Sequence, residues 1–327
     1  MLRREFFGIL GGAAAAWPLA ARAQQGERMR RIGVLGAGSQ DGDAVFLAAF
    51  RQGLKESGFV EGQSLNIEYR FAQGQFDQLP RLAAELIQHR VALVFTTGTS
   101  SSLAAKAAST IVPLVFLSQD DPVKRGFVAS FNRPGGNATG MALLSGVLTT
   151  KRLELVQELV PSSRPVGYLQ NPNAPEAMAY LTEVQAAARS IGQELIVVNA
   201  SSEPDLDTAF DKLVQQRAGA LVVGIDGYFF SRRAQIVTLA ARQAIPTIYD
   251  RREYAISGGL LSYGTHLREA FRQMGIYVSR VLKGEKTADL PVVQPTKFEL
   301  IINLKAATTL GLTVPPTLIA RADEVIE

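Results

Sequence analysis

The stretch Arg31-Ile32-Gly33-Val34-Leu35-Gly36-Ala37-Gly38-Ser39, followed by a helical run over 45–57 and a stop at Gly58, decides how the chain is read. A short β-branched run, a glycine loop and then apolar residues at helical spacing describe one strand–loop–helix unit. The unit recurs. Residues 65–71 carry apolar side chains at 65, 67, 69 and 71, the buried face of a second strand. Helices are predicted over 75–89 and 100–108 and strands over 91–95 and 114–117. After Asn132-Arg133-Pro134-Gly135-Gly136-Asn137, the densest turn signal and the apparent joint between two halves, the rhythm resumes. Helices are expected over 150–160, 175–191, 205–216 and 231–243, with strands over 166–169, 194–198, 220–225 and 247–249. Such alternation predicts α/β architecture, parallel sheets covered by helices on both faces.

The tail adds a strand over 258–263, a helix over 266–282 and a strand over 297–302, so the chain must cross between its halves more than once. The expected division is a lobe of residues 31–144 plus 263–296 and a lobe of residues 145–262 plus 297–327. Several parallel connections restrict such lobes to a hinge that opens and closes one cleft. With 327 residues the chain is long enough for two domains of ordinary size. A hydrophobic fraction of 47% and a charged fraction of 20% place it among packed globular proteins. The net charge of +4 is too small to read as a nucleic-acid footprint. There is no cysteine, which excludes disulfides, thiolate nucleophiles and cysteine metal sites.

Residues 1–23 read as an address. Arg3-Arg4-Glu5-Phe6-Phe7, a short Gly/Ala-rich apolar run and an Ala21-Arg22-Ala23 cut site form a twin-arginine export signal. The run falls short of the ~20 residues that span a bilayer, and Pro18 interrupts it. The mature protein is therefore expected outside the cytoplasm, in the periplasm, with residues 24–30 as a polar tail.

Four stretches give the chain a resemblance. The leader is one. Asp121-Pro122-Val123, Gly126-Phe127-Val128-Ala129-Ser130 and Arg133-Pro134-Gly135-Gly136-Asn137-Ala138-Thr139-Gly140 are the most distinctive. Ser262-Tyr263-Gly264 is a third, and Gln294-Pro295-Thr296-Lys297-Phe298-Glu299-Leu300 with the ending Ala322-Asp323-Glu324-Val325-Ile326 a fourth. Together they resemble the ABC-transporter substrate-binding proteins related to tryptophan/tyrosine-binding periplasmic receptors. The resemblance implies a type I periplasmic-binding-protein fold, two doubly wound Rossmann-like lobes joined by a multi-strand hinge. It also implies a small-molecule solute, an amino acid or related carboxylate, delivered to an ABC permease in the inner membrane by a monomer that uses no cofactor. Thr265-His266 and Lys124-Arg125 depart from the family pattern, and the added cations favour a more anionic solute or lie on the surface.

Ligands of open α/β sheets bind beyond the carboxyl ends of strands, so the loops there supply the candidates. Ser39 closes the first glycine loop, whose glycines suit close approach to a ligand or to the other lobe. Thr99, Ser100 and Ser101 open a helix and either cap it or receive a carboxylate. Asp121 either accepts from a ligand or caps a helix starting near Val123. In the second half, Asn171, Asp226, Tyr228, Tyr249 and Asp250 follow strands, and acids with phenols suit a ligand amine on an apolar or aromatic body. Tyr263 sits at a predicted crossing. An enzyme is the poorer reading. His89 and His266 are the only histidines, and there is no nucleophile elbow, phosphate loop or zinc helix. A hydrolase built from loop carboxylates stays open as an alternative. A ligand-sensing regulatory domain is disfavoured, because the leader stands where such regulators carry a DNA-binding segment.

Overall fold

The computed structural model describes residues 29–160 and 164–327, so the expected leader at 1–23 lies outside the described residues. In the first lobe the order is β1 (Arg30–Gly36), α1 (Ala44–Glu56), β2 (Leu65–Phe71), α2 (Leu79–Gln88), β3 (Val94–Thr96), α3 (Thr99–Ala108), β4 (Leu114–Ser118) and β5 (Ala138–Ala142). The second lobe begins with α4 (Ser145–Leu159), β6 (Val166–Gln170), α5 (Ala177–Ser190), β7 (Leu195–Asn199), α6 (Glu203–Gln215) and β8 (Ala220–Val223). It continues through α7 (Gly227–Ser231), α8 (Arg233–Arg242), β9 (Thr247–Tyr249), α9 (Arg252–Ile256) and β10 (Leu261–Thr265). The chain then forms α10 (Leu267–Leu282), β11 (Phe298–Asn303), α11 (Leu304–Thr309), α12 (Pro316–Ile319) and β12 (Glu324–Ile326).

Two sheets result, ordered β2-β1-β3-β4-β5 and β12-β11-β10-β9-β8-β6-β7. All pairings are parallel except β10 with β11. Central strands covered on both faces read as unbroken apolar runs; Ile32, Val34 and Leu35 of β1 are fully buried, as expected for one. The proposed α/β, doubly wound architecture is what is observed.

One expectation is corrected. The turn 132–137 is not the joint between lobes: it returns the chain into β5, which completes the first sheet beside β4. Asn137 pins that turn, donating to the carbonyls of Ser109 and Val112 while its Oδ1 accepts from Lys106 Nζ at 2.7 Å. Strand β5, Ala-Thr-Gly-Met-Ala, is buried throughout yet has almost no β-branched residues, so its pattern gave no strand signal.

The chain passes between the sheets after β5, after β10 and before β11. At the first passage Leu144 takes a left-handed backbone, φ 47°, immediately before α4. The other two are bonded together, the His266 amide donating to the Lys297 carbonyl at 3.1 Å. These connections form the multi-strand hinge. Between them, α10 returns to the first lobe and lies against α1 so closely that a Cβ on Gly53 would sit 1.9 Å from the Arg272 carbonyl oxygen. A Cβ on Gly275 would sit 2.2 Å from that of Phe50. Late sequence is thereby sealed into the early lobe.

Gly53→Ala tests that seal. Helix propensity alone favours alanine by about 1 kcal/mol, whereas forcing two backbones apart costs about 1–3 kcal/mol. The variant should lose stability in urea titrations; a gain would contradict the glycine-mediated contact.

Candidate functional site

The strand-end loops of the two sheets face each other. At the rim the lobes touch backbone to backbone: a Cβ on Gly38 would lie 3.2 Å from the Gly227 carbonyl oxygen. The Phe46 ring of α1 lies 5.5 Å from that of Phe230. Behind these contacts is a cleft with walls from both lobes, including Asp43, Thr99, Ser100, Gln119, Arg152, Glu176, Tyr180, Asp226, Asp250 and Arg251, with an apolar floor from Phe76, Leu148 and Phe271. In this closed arrangement its inner space is about 90 Å³.

Of the residues expected from the sequence, Thr99, Ser100, Asp226 and Asp250 line the cleft. Thr99 is tied to the end of β4, its amide donating to Gln119 Oε1 at 3.0 Å and its Oγ1 accepting from the Gln119 amide at 3.1 Å. Ser100 reaches across to the other lobe and donates to both Glu176 oxygens, at 2.6 and 2.8 Å. Asp226 caps α7 by accepting from the Phe229 amide at 3.0 Å, and Asn171 steadies it from behind by donating at 3.3 Å. Asp250 is clamped by Arg251, which donates from Nε at 2.8 Å and Nη2 at 2.7 Å while its guanidinium lies over the Phe230 ring.

The other candidates do not line the cleft. Ser39 Oγ accepts from the Gly42 amide at 3.0 Å within its own turn. Ser101 Oγ donates back to the Gly98 carbonyl at 2.9 Å within the first turn of α3. Asp121 accepts from the Val123 amide at 2.8 Å and shapes a turn rather than a helix. Tyr228 packs over Gly74 of the opposite lobe. Tyr249 is wholly buried and stacked on Tyr254 at 4.5 Å. Tyr263 contributes its carbonyl, which accepts from Arg152 Nε at 2.8 Å. The pair at 124–125 does not enter the cleft either: Lys124 is exposed, and Arg125 is bonded to Asp120 at 2.9 Å. His89, which the sequence left without a partner, meets Glu68 at 2.5 Å on the surface.

Several lining residues escaped the sequence reading. Arg152 is 2% exposed and sits on the buried face of α4, one turn after Leu148. A charge in an apolar helical stripe was the readable signal. Glu176 caps α5 and Tyr180 lies in its first turn, at the far end of the connection that leaves β6 at Gln170. Asp43 immediately precedes α1.

Burial governs the electrostatics. It pushes the Asp226 carboxyl up to about 6, against the stabilising bonds from Phe229 and Asn171. It does the same to Asp43, up to about 6, against the pull of Arg251 and Arg233. Glu176 is also raised by burial, with Ser100 opposing. Arg152 is lowered by burial, with Asp250 holding its charge. A buried site of this kind, with acids of both lobes facing a guanidinium, is built to hold a polar solute out of water.

The family model described as "ABC transporter substrate binding protein" matches residues 31–326. The chain belongs to that family. It is 25% identical over 278 residues to a tyrosine-binding protein of Clostridioides difficile, an alignment covering 84% of this chain and 80% of that protein. Among solved structures, a conserved domain protein from Vibrio cholerae superposes with a TM-score of 0.84 at 24% identity, covering 91% of this chain and 100% of that one. An ABC domain in complex with L-Trp from Streptococcus pneumonia gives 0.80 at 23% identity, covering 91% and 99%. These likenesses agree with the type I periplasmic-binding-protein fold. No helix among the described residues is long and apolar enough to cross a membrane.

The two raised carboxyls fix a sign. Burial pushes each up to about 6 in the folded protein from the ordinary 3.8 of an exposed aspartate, so the native state holds more protons between those values. Their contribution to the stability of the ligand-free protein is therefore present at low pH and lost as pH rises through about 6. Asp43→Asn and Asp226→Asn should each gain in melting temperature relative to the natural protein as pH goes from about 4.5 to about 7. A difference that does not change with pH would contradict the buried, raised state.

Proposed function

We propose that the protein is the extracytoplasmic solute-binding component of an ABC importer, exported by its twin-arginine leader, and that it captures an amino acid between its lobes as a monomer. The observation that carries this reading is the cleft between the lobes, lined by acids of both lobes and by the Arg152 and Arg251 guanidiniums of the second. Asp43 and Asp226 offer acceptors to an ammonium, and Arg152 offers donors to a carboxylate. The groups hold a solute, and closure adds the contacts that favour the closed state. The permease then meets a surface that exists only when both lobes are together. A relative named for tyrosine and another solved with L-Trp support an amino acid as the solute class.

Size refines the reading. A cavity of about 150 Å³ holds a benzene, and the closed cleft offers about 90 Å³. As the lobes stand, a slender side chain is therefore favoured over an aromatic one, in a cleft still partly open to solvent.

A thermal-shift screen of the purified protein against single amino acids tests the proposal. A solute at about 100 times its dissociation constant adds about 2.7 kcal/mol of stability, which should raise the melting temperature by several degrees. Asp226→Asn, which keeps the α7 cap, should remove most of that shift; an undiminished shift would take Asp226 out of the site. For export, Arg3→Lys with Arg4→Lys should leave the protein in the cytoplasm, and normal release to the periplasm would contradict the twin-arginine route.

A further inference from the structure

We infer that the cleft selects a slender solute bearing two cationic nitrogens, a diamine or a basic amino acid, and that Glu176 turns one pole of the cleft toward a cation. The inference rests on the receptor reading above and concerns the same cleft.

The start of α3 supplies the first argument. Its hydroxyls and amides suit a solute carboxylate on general grounds, but here the place is taken. Ser100 donates to both oxygens of Glu176, a carboxylate from the opposite lobe that is 4% exposed. A solute carboxylate brought to the same hydroxyl would face Glu176 at contact distance with little water to screen the repulsion.

The charge balance supplies the second. Four carboxylates line the cleft, Asp43, Glu176, Asp226 and Asp250, against the guanidiniums of Arg152 and Arg251. Arg251 is committed to Asp250 by two bonds. Three acids then stand against Arg152, and they lie in two separate groups. Asp43 and Asp226 are both drawn on by Arg251. Glu176 instead feels Asp120 and Arg125, which are bonded to each other at 2.9 Å. Asp43 also feels Arg233, which does not line the cleft; among the lining groups each pole still holds more acid than base. A solute with one cationic nitrogen answers one pole; two nitrogens answer both.

Shape supplies the third argument. The inner space of about 90 Å³ admits a methylene chain more readily than a ring, and Phe46, Phe271 and Tyr180 in its lining give such a chain apolar contact.

Isothermal titration calorimetry on the purified protein decides the matter, with putrescine, L-lysine and L-arginine as dicationic probes. L-leucine, L-tyrosine and L-tryptophan serve as neutral probes and L-glutamate as the acidic one. At least one dicationic probe should bind more tightly than every neutral one, and L-glutamate should not bind. The putrescine and L-lysine arms separate a diamine from an amino acid. Glu176→Gln keeps an acceptor for Ser100 and should weaken the dicationic probe by about tenfold or more, a larger loss than for any neutral amino acid; an equal loss for both would overturn the role of Glu176 as a cation-facing pole. Tight binding of L-tyrosine or L-tryptophan with none of the dicationic probes would overturn this solute class and leave the receptor reading standing. An absence of heat with every probe, from a protein that still melts cooperatively, would overturn both.

Discussion

Three covalent passages between the two sheets are the constraint on which the rest of the structure depends. One linker would let the lobes tumble; three, two of them bonded to each other through His266 and Lys297, leave a single bending motion. The strand-end loops therefore always meet the same partners when the lobes approach. Gly38 finds Gly227, Phe46 finds Phe230 and Ser100 finds Glu176. The cost of that arrangement is a late segment, α10, that must return to the early lobe, and the glycines at 53 and 275 are what let it dock there.

The cleft is made of groups that are costly to keep where they are. A buried carboxylate without a full set of donors is better off protonated, and Asp43 and Asp226 show that strain in their raised titration. A bound cation relieves it. Arg152 is in the complementary position, held by the Tyr263 carbonyl and by the field of Asp250 while buried itself. Such a site discriminates by charge before it discriminates by shape, because an uncharged occupant leaves these groups unanswered while a matching one is rewarded at each of them.

The alternation of short β-branched runs with helical stripes was enough to read two doubly wound lobes, because most parallel strands buried on both faces are runs of Val, Ile and Leu. It failed at β5, where Ala, Gly and Met pack between β4 and the segment at Val293 and leave no such pattern. The strand-end rule found Asp226 and Asp250, since their position beyond β8 and β9 is a local property. It misplaced Tyr249, the last residue of β9, whose side chain turns to the core and stacks on Tyr254. It could not find Glu176 or Tyr180, which reach the cleft only because the two lobes meet. The cations at 124 and 125 left open an anionic solute or a place on the surface; the fold keeps them out of the cleft, and the acids inside it outnumber the guanidiniums.

The receptor function requires that occupancy close the lobes. Small-angle X-ray scattering from the purified protein, with and without a saturating solute, measures this directly. The account predicts a smaller radius of gyration in the solute-bound state. An unchanged scattering profile, with binding independently verified in the same sample, would contradict it.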